Sequence, residues 1–187
     1  MSRTSHQSTI WYAHEHMTLA DDIAQWDSKD ATYIKRVYAN HYKHPEFHES
    51  LIALFPSAEH QDGATWLFKH AIDEGDLIPE SIDPRHIKVI CASLDALETW
   101  ASQLHALQIL SIIPIPKSCT DPIESFARSC MSSKKTFVRA WSYSALFAAT
   151  RTDPKKHKKT ITLLESTLND ASAPASVKAR IRNTLKS

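Results

Sequence analysis

The chain has 187 residues, 42% apolar and 23% charged, which is enough to bury the core of one ordinary domain, and its formal net charge is +1. A typical glycine usage of about 7% would give roughly thirteen; there are two, Gly63 and Gly75. Hairpin-rich β sandwiches and glycine-rich phosphate loops are disfavoured, because only glycine enters the φ > 0 region cheaply, and an all-α chain is expected.

Apolar residues recur at helical spacing along the chain. Ser28 or Asp30 can cap a helix carrying Ile34, Val37 and Tyr38, which should end near 41–44 because Pro45 disfavours helical geometry in the residue before it. Pro45 suits the first turn of the next helix, with Phe47, Leu51, Ile52, Leu54 and Phe55 on one face. A third helix over 61–74 presents Ala64, Leu67, Phe68, Ala71 and Ile72, and Gly75 follows where a left-handed C-cap belongs. Asp83-Pro84 opens a helix with Ile87, Ile90, Cys91 and Leu94. The next carries Trp100, Leu104, Leu107, Leu110 and Ile113 and ends at Pro114 and Pro116. Asp121-Pro122 starts a helix with Ile123, Phe126, Ala127 and Cys130, and another runs from 137 to 150. Asp153-Pro154 begins a helix with Ile161, Leu164 and Leu168, and the last, with Val177, Ile181 and Leu185, follows Pro174. The sum is about ten helices and no strand.

The chain is self-similar. Asp-Pro opens helices at 83, 121 and 153, and Phe137-Val138-Arg139-Ala140 is echoed further along by Ser176-Val177-Lys178-Ala179. Trp100-Ala101 precedes Val138 by a similar interval. A period near 40 with two helices per unit is the mark of an α-solenoid, in which each helix pair buries its inner face by stacking on its neighbours. Val138-Arg139-Ala140 and Val177-Lys178-Ala179 each open a second helix after a short break, and in this they resemble the HEAT repeat, most clearly over 121–187. The resemblance implies a HEAT-like or armadillo-like protein: one domain over 1–187, a right-handed α-α superhelix of antiparallel helices, with 1–17 set apart as a segment that need not be ordered. It also implies that the six residues of those two motifs are structural.

Four groups of residues are candidates for chemistry or binding. His14-Glu15-His16, with His41, His44, His48 or His60, has metal-ligating side chains, but residues two apart on a helix point to different sides, so no metal is expected. Cys91, Cys119 and Ser111 are nucleophile types without an elbow or glycine-rich turn, so no catalytic residue is assigned, and the three cysteines, Cys91, Cys119 and Cys130, are read as reduced structural thiols. The aromatic set Trp66, Trp100, Trp141, Tyr143 and Phe147, with Asp95 or Glu98 beside Trp100, invites comparison with HEAT-like DNA glycosylases, but aromatics at helical spacing are ordinarily packing residues.

The fourth group is basic. Residues 130–187 hold twelve Lys or Arg and three acids, while residues 1–129 hold ten bases and eighteen acids. Lys155, Lys156, Lys158 and Lys159 crowd the first turns of one helix, where cations oppose the helix dipole. With Lys134, Lys135, Arg151, Lys178, Arg180, Arg182 and Lys186 they form a candidate anionic-partner surface if they converge, and a solubilising cap if they scatter.

The expected function is a non-enzymatic scaffold that binds another macromolecule, a protein first, through one helical layer. Nucleic-acid binding through the basic C-terminal repeats is the alternative, and glycosylase activity a weaker one. No cofactor is expected. The longest strongly apolar stretch, 109–115, is broken by Ser111 and Pro114, and 1–18 has no apolar core of leader length, so no membrane association and a cytoplasmic location are expected.

Overall fold

Side-chain caps set many of the helix boundaries. In the computed structural model, which describes residues 17–186, ten α-helices occur among the described residues: α1 Leu19–Ala24, α2 Ala31–His41, α3 Phe47–Leu54, α4 Gln61–Asp73, α5 Pro84–Ser93, α6 Trp100–Leu110, α7 Thr120–Cys130, α8 Thr136–Thr150, α9 Pro154–Asn169 and α10 Ala175–Thr184. No strand occurs among the described residues, and no helix there is long and apolar enough to cross a membrane. His14-Glu15-His16 and all of the 1–17 segment except Met17 lie outside the described residues.

The Asp30 carboxylate accepts from the Thr32 and Tyr33 amides at the start of α2, Asp83 from Arg85 at α5, and Asp153 from Lys155 and Lys156 at α9. Each cap satisfies helix-end amides that lack an intrahelical partner. At α9 the cap also places a negative charge beside lysines that would otherwise face only the positive end of the helix. Two prolines sit differently from expectation. α7 begins at Thr120, so Pro122 lies within its first turn and Asp121 is not its cap. Pro45 precedes the N-cap residue Glu46 of α3. α10 follows Pro174, its N-cap residue, as expected. Helix α1 was not expected; it is held by a reciprocal capping box in which Thr18 accepts from the Asp21 amide and Asp21 from the Thr18 amide.

Both glycines are required by geometry. Gly75 has φ +81° and ends α4, its amide donating to the Ile72 carbonyl. Gly63 lets α1 approach α4: a Cβ there would stand 2.7 Å from Cγ2 of Ile23.

Helices pack on those two places along the chain. α2 meets α4, α4 meets α6, α6 meets α8 and α8 meets α10, while α3 meets α5 and α5 meets α7. Within these contacts, polar side chains bond to residues about 40 positions away: Tyr38 to Asp76, Gln61 to Ser102, Thr65 to His105 and Ser144 to Thr184. The apolar core divides in two. One cluster runs continuously from Ile23 in α1 to Ala149 in α8. The second, Ala140, Phe147, Leu164, Val177 and Ile181, joins α8 to α9 and α10. α8 belongs to both, with Val138, Leu146 and Ala149 on one side and Ala140 and Phe147 on the other.

Candidate interaction surface

The basic residues do not form one stripe. Lys155, Lys158 and Lys159 fall at i, i+3 and i+4 and, with Thr162, line one exposed face of α9. Lys156 leaves that group: its ammonium bridges to α7, contacting Asp121 and lying 2.9 Å from Glu124, and these partners raise its pKa while its charge holds Glu124 below the usual carboxylate range. Lys134 and Lys135 are exposed just before α8, where Nζ of Lys135 stands 5.1 Å above the Trp100 ring. Lys178 is half-buried, and Arg182 and Lys186 are exposed on or just after α10.

Arg139 folds back on its own turn, donating from Nη1 to the Ser133 carbonyl at 2.6 Å and from Nη2 to Thr136 Oγ1 at 3.3 Å. Val138, Ala140 and Val177 are buried, whereas Ala179 is exposed. Val138, Ala140 and Val177 thus serve packing, and Arg139 ties down its own turn.

Arg180 stands apart from the other bases. Its guanidinium carbon lies 3.5 Å from the centroid of the Trp141 ring, across a groove of about 200 Å³ between α8 and α10 and the end of α6. Ile112, Ser144, Ala148, Arg151 and Asn183 also line it. The Arg180 side chain makes no hydrogen bond or ion pair among the described residues, and burial lowers its pKa. A stacked, partly desolvated arginine of this kind gains roughly 1 kcal/mol from the ring and keeps its hydrogen-bonding edge open. Arg151 sits with its guanidinium carbon 5.3 Å from the Phe147 ring centroid and is otherwise engaged.

Large apolar side chains are exposed on or next to α6 and α8, Ile112 among the groove's lining. Phe137 is 66% exposed and lies one helical turn before Trp141 on α8; Trp100 is 50% and Ile112 43% exposed, near the two ends of α6. Lone exposed apolar residues are ordinary, but aromatics with stacked cations on adjacent helices have the composition of protein interface centres.

Two further polar groups are enclosed. Gln61, fully buried in the first turn of α4, accepts at Oε1 from the Glu98 amide at 2.7 Å and from the Ser102 hydroxyl at 2.7 Å, and Asp62 accepts from the Thr99 hydroxyl and from Ser28. This network fastens the start of α4 to the start of α6. Sequence reasoning missed it; the available signal was a glutamine among the apolar positions of α4. His105 beside it bonds Thr65 at 3.2 Å, and burial pushes its pKa down to about 4, against a raising effect of Asp62. Burial likewise lowers His48 and His70.

Among the described residues no group of three or more His, Cys, Asp or Glu is placed to hold a metal. His41 bonds Asp22 at 2.6 Å, His60 bonds Ser57 at 2.7 Å, and His44 accepts from the Glu46 amide. Cys91, Cys119 and Cys130 are buried free thiols, and burial pushes Cys130 up to about 11 and raises Cys91 as well, which holds both as unreactive thiols. Trp100 faces Lys135, while Asp95 and Glu98 are exposed beside the turn before α6.

Comparison of the chain with protein families, curated proteins and solved structures finds no match.

Proposed function

We propose that the chain is a HEAT-like α-solenoid, a right-handed stack of helix pairs, that works without catalysis in the cytoplasm by binding another protein on the surface of α6, α8 and α10. The solenoid part is supported by helices packing on those two places along and by polar cross-links about 40 residues apart. The observation that carries the binding reading is the Trp141–Arg180 stack in its groove, with the exposed Ile112 in the lining and the exposed Phe137 one helical turn before Trp141. Trp and Arg in a partly desolvated groove with an apolar surround are the residues on which protein interfaces concentrate their energy. The scatter of the remaining bases over α9, the α7–α8 turn and α10 suits solubilising faces.

The test is affinity capture from cells of the source organism with the wild-type chain, Phe137→Ala, Trp141→Ala and a Lys155→Gln, Lys158→Gln, Lys159→Gln triple variant, before and after nuclease. Retention of a protein that survives nuclease and the triple substitution but is lost with Phe137→Ala and Trp141→Ala is expected. Retention that follows the lysines or disappears with nuclease overturns it. That outcome would favour the nucleic-acid reading, whose one support is the lysine face of α9 and which further requires binding that weakens steeply with salt.

A further inference from the structure

We infer that the α8–α10 groove receives a carboxylate side chain from an acidic peptide segment of the partner, and that Arg180 is the residue that selects it. The inference rests on the protein-binding reading and deepens it.

The Arg180 guanidinium carbon stands 3.5 Å from the Trp141 ring centroid, a separation that only a face-on guanidinium fits. A guanidinium held by its face presents its N–H donors at its edge, as a fork that matches the two oxygens of a carboxylate. Nothing within the described protein fills that fork. No acid among the described residues lines the groove. The three acids of residues 130–187 are placed elsewhere: Asp153 caps α9, Asp170 accepts from the amide and hydroxyl of Ser172, and Glu165 is exposed on α9. An arginine drawn partly out of water without a counter-charge is unusual in a finished structure, and an incoming carboxylate supplies the missing charge.

The number of cations decides which anion fits. The groove offers one open guanidinium, because Arg151 is already engaged. One arginine matches one carboxylate bidentately; a phosphorylated side chain, with close to two negative charges, is recognised by clusters of bases, and a nucleic-acid backbone by a line of them. Ile112 lines the groove, Phe137 is exposed one helical turn before Trp141, and both suit apolar side chains next to the acid. The preferred segment therefore interleaves Asp or Glu with Leu or Phe.

Fluorescein-labelled synthetic peptides test this by anisotropy: one interleaving Glu with Leu and Phe, its Gln isostere, and one with phosphoserine in place of Glu, alongside a single-stranded oligonucleotide. The Trp141 indole N–H signal, assigned by Trp141→Phe, reports whether the groove is the site. The acidic peptide is expected to bind about tenfold tighter than the Gln isostere, a ratio typical of one charge-assisted bidentate contact. It should also move the Trp141 signal. Arg180→Gln should abolish the preference and Arg180→Lys should keep only part of it, with thermal melts showing that both variants fold. Equal binding of the Gln peptide, no binding by any peptide, a preference untouched by Arg180→Gln, or tighter binding of phosphoserine or the oligonucleotide each overturns the carboxylate assignment. If it fails while capture of a protein still depends on Phe137 and Trp141, the protein-binding reading stands and this inference alone falls.

Discussion

Helices α1 to α8 close around one continuous apolar core, whereas α9 and α10 rest on a cluster of five buried residues, Ala140, Phe147, Leu164, Val177 and Ile181. The polar contacts are less sharply divided. In the larger region buried side chains such as Gln61, Thr65 and Ser102 bond across helices, and histidines pair with carboxylates, as His41 with Asp22. The smaller one shares the cross-helix bonds, Ser144 with Thr184, and places Arg180 on Trp141 and Arg151 on Phe147, as Lys135 lies on Trp100 in the larger one. More of the buried apolar core thus lies in α1–α8, and the candidate groove lies where α10, in extensive contact with α8, joins that region.

The largest effect should come from the main core. Phe68→Ala, at a fully buried position, is expected to cost about 3–5 kcal/mol in chemical denaturation and to lower protection of amides throughout α1–α8. Ile181→Ala, also fully buried, should cost about 2–4 kcal/mol, with the loss of amide protection in hydrogen exchange confined largely to α9 and α10. If exchange in both regions rises together in both variants, the two clusters are one cooperative unit and the contrast is broken.

Acid should act on the larger region first. His105 has its folded pKa lowered to about 4 from 6.5, so between these values the unfolded chain holds a proton that the folded chain lacks. Stability present above about pH 6.5 is therefore lost as pH falls toward 4, by about 3 kcal/mol at most. His48 and His70 act in the same direction. His105→Gln should flatten the dependence of denaturation free energy on pH in that window, and an unchanged slope would assign the acid sensitivity to other groups.

Gly63→Ala comes next, at about 1–3 kcal/mol, because its Cβ meets Ile23 Cγ2 at the α1–α4 contact. A double-mutant cycle with Ile23→Ala should be clearly non-additive, whereas additive losses would mean that α1 simply moves away. Lys156→Gln should change least. Its bridge to Asp121 and Glu124 is half-exposed and screened by salt, so its small effect on melting temperature should vanish at high ionic strength.

Much of the helix pattern was legible because aspartates and prolines mark the boundaries: Asp30, Asp83 and Asp153 cap the helices where the sequence places them. Asp121-Pro122 misled because Thr120 is already helical, and proline is tolerated anywhere in a first turn. α1 escaped because six residues with one buried side chain, Ile23, carry too little periodicity, although the capping pair Thr18 and Asp21 was visible. The bases of the candidate surface were legible as charges but not as sites. Whether a lysine or arginine is committed to an acid or left open depends on partners in other helices, such as Glu124 of α7 for Lys156 and Trp141 of α8 for Arg180, and periodicity along one helix carries no such information.

The two glycines, one in α4 and one just after it, have a counterpart in the unfolded chain. Beyond Gly75 there is no further glycine, and prolines occur at 79, 84, 114, 116, 122, 154 and 174. Each missing glycine and each added proline narrows the set of conformations the denatured segment can visit, so less entropy is surrendered when it orders. The modest five-residue cluster beneath α9 and α10 is helped by this restriction. Replacing the exposed Ala171 of the 170–174 connection with glycine would loosen the last two helices while leaving the Asp170–Ser172 bonds in place.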